Sequence, residues 1–253
     1  MADGTGLADG HPSDRMPRRR TEKISEVLAR EIVHDIRGME PGTKLPSEVA
    51  MLQKYRVGRA SLREALRLLE VQGLIVIRPG PGGGPVVAAV DSRHFGRMAS
   101  LYFHVVEATY QDVAESRLVM EPVMARLAAE RQNPDDLALL REFLDTAPVA
   151  HAPDEYVRRS TEFHSALSGM SGNPVLDLMG RSLKDIYTDR IEGMYFPVEA
   201  RERVQEEHAA IARAIIAGDA ANAENLMHQH MREFVDYAKA RNPGIFVEIV
   251  DWR

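Results

Sequence analysis

Cysteine is absent from this chain of 253 residues. Without cysteine the protein can form neither a disulfide framework nor a thiolate metal site, so a bound metal must have nitrogen and oxygen ligands. Long apolar runs are also absent, and residues 1–20 lack the apolar segment of a secretory signal. These absences exclude a small disulfide-stapled fold, and they predict a cytoplasmic protein with no membrane partner.

Acidic residues outnumber basic ones, so that the formal net charge is −6, but the charges are unevenly distributed. From Arg15 to Ala89 there are 14 Lys or Arg against 8 Asp or Glu, whereas the rest of the chain is acidic. A chain of this length favours two domains. The sequence therefore predicts a basic N-terminal module, suited to phosphate contacts, joined to an acidic body.

The N-terminal module shows the pattern of three helices. Apolar residues at spacings of three and four predict a helix over residues 24–36, and Ser47 is a good N-cap for a short second helix that ends near Tyr55. A third helix is predicted from Arg59 to Gln72, with Gly73 as its left-handed C-terminal cap. The second and third helices form a helix-turn-helix.

A hairpin wing is predicted after Gly73. Residues 74–77 and 85–87 are typical of short strands, and the glycine-rich segment 78–84 lies between them. A nucleotide-binding loop is disfavoured because no Gly-Lys-Ser/Thr follows, the G-x-G-x-x-G spacing fails at Pro85, and a strand follows where a helix is needed. The wing tip could lie along DNA, and a purely structural hairpin stays open as the alternative.

The third helix has the arrangement that a recognition helix requires. Arg59 and Arg63 lie one turn apart near its start, with Ser61 between them, and all three lie outside the apolar stripe. Arginine can bind guanine or clamp a phosphate. The alternative is a solvated charged face.

These segments together resemble the winged-helix signature of the GntR family. The matching segments are Leu45-Pro46-Ser47-Glu48, residues 57–66, Leu69-Glu70 and Gly73-Leu74-Ile75. The resemblance implies a homodimer that grips a pseudo-palindromic double-stranded operator. It implies DNA contacts by Gly58, Arg59, Ala60, Ser61, Arg63, Gly82 and Gly83. One departure is Val49, which stands where many relatives have arginine, so no DNA contact is expected there.

The remainder of the chain is helical in pattern. We expect a mostly α protein in which an N-terminal winged helix-turn-helix domain is followed by an all-α bundle of about seven helices. The expected divisions are a tail at 1–20, the winged domain at 21–89, a helical effector domain at 94–242 and a C-terminal tail at 243–253.

Three histidines in this second part lie on apolar helix stripes. Neutral imidazole is a good ligand for zinc and similar ions, and a site with three protein ligands keeps one coordination position open. His164, His208 and His230 fit that scheme. Buried histidines that are merely hydrogen-bonded remain the alternative.

The same region resembles the helical ligand-binding (FCD) domain of the FadR subfamily. The matching residues include Glu115-Ser116-Arg117, Glu121, Phe163-His164, Glu207-His208 and Gly218-Asp219. The resemblance implies that the three histidines bind a divalent metal, with zinc as one candidate, and that the domain senses small organic acids. Relatives often place an aspartate one turn before the first histidine, where this chain has Ser160. Arg117 is a candidate for binding an effector carboxylate, and a structural pair with Glu121 is the alternative.

We therefore expect a DNA-binding transcriptional regulator, typically a repressor, whose operator affinity changes when a small carboxylate effector binds. The competing hypothesis is a metal-dependent hydrolase that activates water at the three-histidine site. It is disfavoured because the sequence has no His-Glu-x-x-His pair and no nucleophile elbow. A helical sensor with a vestigial DNA reader is a third possibility.

Overall fold

The computed structural model describes residues 22–80, 82–146, 151–191 and 197–252. The chain divides into two compact units, residues 1–89 and 90–253. This division falls at the end of the predicted winged domain, between a segment rich in short elements and a segment built of long helices.

The first unit begins with three helices, α1 (Ile24–Ile36), α2 (Glu48–Tyr55) and α3 (Arg59–Val71). As predicted, Ser47 caps α2, its hydroxyl accepting a hydrogen bond from the Ala50 N–H. Arg56 then adopts a left-handed conformation with φ of 53° and turns the chain toward α3. The core under the helices consists of buried apolar side chains: Leu28, Ile32, Met51, Leu62, Ala65, Leu66, Leu69 and Ile75.

The predicted wing is an antiparallel hairpin of β1 (Ile75–Arg78) and β2 (Gly84–Val87). Gly73 has a φ of 71°, as its expected role as helix C-cap requires. Residues 43–45 lie along the far edge of β2, where the Leu45 N–H donates to the Pro85 carbonyl oxygen at 2.9 Å. The winged helix-turn-helix is thus confirmed, with this additional edge that the periodicity did not indicate.

The second unit is helical throughout its described part. Its helices are α4 (Ser92–Val105), α5 (Tyr110–Arg131), α6 (Pro134–Asp145), α7 (Pro153–Met170), α8 (Pro174–Ile191), α9 (Val198–Ile216), α10 (Ala220–Arg241) and the short α11 (Pro243–Phe246). One apolar core joins α5, α7, α9 and α10. No helix among the described residues is long and apolar enough to span a membrane.

Both ends of this unit extend beyond the expected boundaries. Helix α4 begins at Ser92, two residues before the expected start of the helical domain at residue 94. Residues 243–253 were expected as a tail, but Phe246 and Val250 are fully buried, and the Val250 N–H donates to the Ala108 carbonyl oxygen at 2.8 Å. A four-residue helix is too short to show a period, so this packing could not be inferred from spacing.

Candidate functional site

The start of α3 is exposed, as a recognition helix requires. The side chains of Arg59 and Arg63 are 74% and 70% exposed, whereas Leu62 between them is fully buried. The nearest described acid is Glu48 on α2, 3.9 Å from Arg59 and 3.5 Å from Arg63. Exposed ion pairs of this kind are weak, so a phosphate or a guanine edge can replace Glu48 as the partner.

The other predicted DNA-contacting residues of the helix lie beside the two arginines. Gly58 is the extended N-cap residue of α3, and Gly58 and Ala60 are exposed while Ser61 is half-buried. Val49 on α2 is 60% exposed. An exposed valine offers no hydrogen bond to a phosphate, in line with the expected loss of a contact at that position.

The wing tip depends on glycine. Gly82 has a φ of 75°, and a Cβ on Gly83 would lie 2.2 Å from the carbonyl oxygen of Arg78, so alanine cannot replace Gly83 without rearrangement of the turn. The Lys44 ammonium donates to the Gly82 carbonyl oxygen at 3.0 Å. Lys44 is not among the DNA-contacting residues predicted from the sequence, but its charge beside the wing adds a basic group to this face.

Three helices bring the predicted histidines together. His164 lies on α7, His208 on α9 and His230 on α10, and all three rings are buried. The Nε2 atom of His230 is 3.2 Å from Nε2 of His208 and 3.4 Å from Nε2 of His164. Residues far apart in the sequence thus aim the same ring atom at a common point.

Two glutamates contact the Nδ1 atoms of two of these rings, on the side away from the Nε2 cluster. Nδ1 of His164 contacts Glu121 on α5, and Nδ1 of His230 lies 2.7 Å from the Glu207 carboxylate. An ionised carboxylate only accepts, so each Nδ1 carries a proton. A neutral ring in this orientation points an Nε2 lone pair at the other ring. Two lone pairs 3.4 Å apart repel unless a cation lies between them. Simple hydrogen bonding between these two rings is therefore disfavoured.

Burial also favours the neutral form of two of the rings. Burial is the main cause that lowers the pKa of His164, although the charge of Glu121 partly opposes it. The pKa of His208 lies well below its usual value, first because of burial and then because of the neighbouring histidines. Neutral imidazole is the form that binds a metal ion.

Arg117 is tied into the same network. Its guanidinium lies 2.7 Å from Glu121, both side chains are buried, and the second Glu121 oxygen contacts His164. Burial alone would raise the pKa of Glu121, but the charge of Arg117 and the hydrogen bonds from His164 and Arg117 outweigh it and hold that pKa at about 2. The structure therefore favours the structural-pair alternative, in which Arg117 reaches the histidines only through Glu121.

The donor set fits a divalent metal. Zinc–nitrogen bonds of about 2.0–2.1 Å at tetrahedral angles would place two ligating nitrogens roughly 3.3 Å apart. The observed Nε2 separations of 3.2 and 3.4 Å agree with that spacing. Carboxylates that fix the second nitrogen are usual around histidine ligands. The sequence pattern does not indicate these roles of Glu121 and Glu207, and the position of Glu207 directly before His208 is the one local signal for them.

A cavity of about 190 Å³ lies beside His208. Ser160 is half-buried on α7, one turn before His164, and lines this cavity together with His208. Glu162 is exposed and pairs with Arg158 at 2.7 Å, so it does not supply the missing carboxylate. The other lining residues are Phe143, Leu144, Thr146, Tyr156, Arg159, Gln205, Ala209 and Arg213.

The fold and the sites define a class of protein, namely a winged-helix DNA-binding module combined with a helical domain that encloses a polar, histidine-lined site. Residues 24–83 match the family model of bacterial regulatory proteins of the gntR family, and residues 112–233 match the FCD domain. The chain belongs to the GntR family of bacterial transcriptional regulators, with an FCD domain as its second part.

The relatives agree with this assignment. The HTH-type transcriptional repressor NanR of Salmonella bongori is 30% identical over 191 residues, which are 73% of this chain and 72% of that protein. The regulator LutR of Bacillus subtilis is 26% identical over 204 residues, 78% of this chain and 92% of that protein. A solved structure of Streptococcus agalactiae GntR has a TM-score of 0.66 and 26% identity, and it covers 85% of this chain and 100% of its own.

These proteins are transcriptional regulators, and the hydrolase hypothesis gains no support from them. The geometry also opposes it, because Glu121 and Glu207, the carboxylates nearest the histidines among the described residues, are both engaged with histidine Nδ1 atoms. A general base would need an uncommitted carboxylate within reach of a water. The chain is a DNA-binding regulator of the GntR family.

Proposed function

We propose that this regulator is a metal-containing, ligand-responsive repressor that leaves its operator when a small carboxylate enters the helical unit. The convergence of three Nε2 atoms beside a cavity is the observation that carries the proposal. The name of the Salmonella relative, a repressor, supports the direction of regulation. Ligand binding would favour one arrangement of the two winged modules over another and so change operator affinity.

His164, His208 and His230 would hold the ion, zinc being the candidate that suits three imidazoles. A divalent ion at this point would supply an open coordination position for an anionic oxygen. Glu121 and Glu207 orient two of the rings, and Arg117 keeps Glu121 ionised. Ser160, short and uncharged, leaves more room for an incoming oxygen than an aspartate would.

The cavity walls support a ligand with both polar and apolar parts. Phe143, Leu144 and Ala209 offer apolar contacts, whereas Ser160 and Gln205 offer hydrogen bonds near His208. Its volume of about 190 Å³ matches a small organic acid better than a large cofactor.

We also propose a homodimer that uses the exposed face of α4. Phe95, Met98, Tyr102 and Val105 follow one another at spacings of three and four and are 42%, 39%, 65% and 72% exposed. An apolar stripe of this kind is a common mark of a protein interface. A twofold dimer would present two winged modules to two half-sites of an operator.

The test is fluorescence anisotropy with DNA from upstream of the chain's own gene, at one fixed salt concentration. We expect selective binding that weakens by about 1–3 kcal/mol in Arg59→Ala or Arg63→Ala, as for loss of an arginine contact. Arg141→Ala, an exposed change on α6, serves as the control and should bind as the wild type does. Equal binding to unrelated DNA would contradict the proposal.

A further inference from the structure

Arg201 on α9 is a buried cation with two unpartnered nitrogen atoms in the described part of the helical unit. Its side chain is only 4% exposed, and its Nε and Nη1 atoms have no hydrogen-bond partner among the residues that the structure describes. Its guanidinium carbon lies 6.0 Å from the centre of the Tyr156 ring. Arg117 is equally buried, but a carboxylate lies 2.7 Å from it. The two buried arginines therefore differ in that only one of them has a counter-ion in the described part.

A buried guanidinium without an acceptor is costly. Arginine stays protonated at any ordinary pH, so it cannot lose its charge to relieve the cost of burial. Buried charges in proteins are normally paired or hydrogen-bonded. A carboxylate that enters the domain would supply an acceptor to Nε or to Nη1. These two atoms lie on different edges of the guanidinium, so a bidentate carboxylate would accept from one of them together with Nη2.

Arg201 also lies on the same face of α9 as His208, one of the three clustered histidines. Along α9, Gln205 follows one turn after Arg201 and His208 two turns after it, and both of these residues line the cavity. Along α7, Tyr156, Ser160 and His164 follow one another at four-residue spacing. Tyr156 links the two rows, because it lines the cavity together with Ser160 and contacts Arg201 through its ring.

We infer that Arg201 binds one carboxylate of the effector while the histidine end of the cavity receives a second anionic oxygen. The inference rests on the proposed function and narrows the ligand to a short dicarboxylate or a hydroxy acid. The backbone rise from residue 201 to residue 208 is about 10 Å, part of which the long arginine side chain covers. A monocarboxylate such as acetate can satisfy one end only.

The experiment measures anion binding to the zinc-loaded full chain by calorimetry and by thermal unfolding in a chloride buffer. The probes are sodium succinate, glutarate, citrate and acetate. We expect at least one of the multivalent acids to bind more tightly than acetate. In Arg201→Met its Kd should rise at least tenfold, while the zinc content stays unchanged. Arg232→Met, an exposed change on α10, should bind as the wild type does.

Unfolding without any added anion gives a second readout. Methionine removes the uncompensated charge and keeps much of the side-chain volume, so Arg201→Met should be at least as stable as the wild type. A lower unfolding temperature for Arg201→Met would show that the guanidinium is already paired, and it would overturn the inference. Equal affinity of both proteins for the acids would overturn it too, as would a wild type that binds none of them. Zinc that stays bound in those samples would show that the proposed metal site holds even though Arg201 does not bind the effector.

Discussion

The Nε2 atoms of His164 and His230 lie 3.4 Å apart, although each ring already donates its Nδ1 proton to a glutamate. Neither ring, in its neutral form, has a proton to place between them. Nε2 of His208 lies 3.2 Å from Nε2 of His230. The three Nε2 atoms therefore lie close together, and a divalent cation bound by them would stabilise this arrangement.

The first prediction concerns the metal and the glutamate behind it. We expect the purified wild type, never exposed to a chelator, to contain close to one divalent ion per chain by elemental analysis. His208→Ala should lose the ion, and Glu207→Gln should weaken binding roughly 10- to 100-fold because the ring of His230 is no longer oriented by a charge. Competition with a chromogenic chelator measures the affinity.

His228→Gln is the matched control for these variants, since His228 lies on α10 two residues before His230 but outside the cluster. It should keep the full metal content. A metal-free wild type, or a His208→Ala variant with undiminished metal, would contradict the proposed centre.

The second prediction concerns the buried pair of Arg117 and Glu121. Arg117→Met leaves Glu121 buried without its main counter-charge, and breaking a buried pair from one side costs about 3–5 kcal/mol. The matched control on the same helix is Arg126→Met, which removes half-exposed ion pairs with Glu130 and Glu224 and should cost about 1 kcal/mol. Urea unfolding in the presence of chelator compares the two. Equal losses in stability would argue against a structural role for Arg117.

The sequence predicted those features whose signals are local. Ser47 as a cap, Gly73 as a left-handed C-cap and the change of period after it all act within a few residues, so they defined the winged helix-turn-helix. The histidines were recognised from their apolar stripes and from family resemblance. Their glutamate partners were not, because the contact of Glu121 with His164 joins α5 to α7 and depends on packing that no spacing encodes.

The burial of Arg201 is another feature that the sequence does not indicate. Its spacing of seven from His208 puts it on the same face of α9 as that histidine, but most arginines in such helices reach solvent with their charged ends. Only the packed structure indicates that its guanidinium is buried beside Tyr156. A buried cation without an acceptor is therefore a signal that needs coordinates.

The third prediction concerns pH. The folded-state pKa of His208 lies well below 6.5, so between that pKa and 6.5 the unfolded chain binds a proton that the folded chain does not. The metal-free protein should thus lose stability as the pH falls from 7.5 to 5.5, by about 1.4 kcal/mol for each such histidine. The stability that ionised Glu121 contributes is lost at a lower pH, as the pH falls from about 4.5 toward 2.

Thermal unfolding in chelator at several pH values measures this effect. His208→Gln should show a shallower loss of stability between pH 7.5 and 5.5, whereas His228→Gln, which keeps all three clustered histidines, should follow the wild type. Identical slopes in all three proteins would mean that His208 does not resist protonation in the folded state.

The last prediction concerns the apolar stripe on α4. Tyr102 and Val105 are 65% and 72% exposed in the single chain, so a dimer that covers them should be broken by a buried negative charge at either position. We expect Tyr102→Glu to sediment as a monomer at micromolar concentration, while Val157→Glu, a change at a 42% exposed apolar residue on α7, stays dimeric. Because two half-sites must be held at once, the monomeric variant should also bind operator DNA at least tenfold more weakly. A monomeric wild type, or a Tyr102→Glu variant that remains a dimer, would place the interface elsewhere.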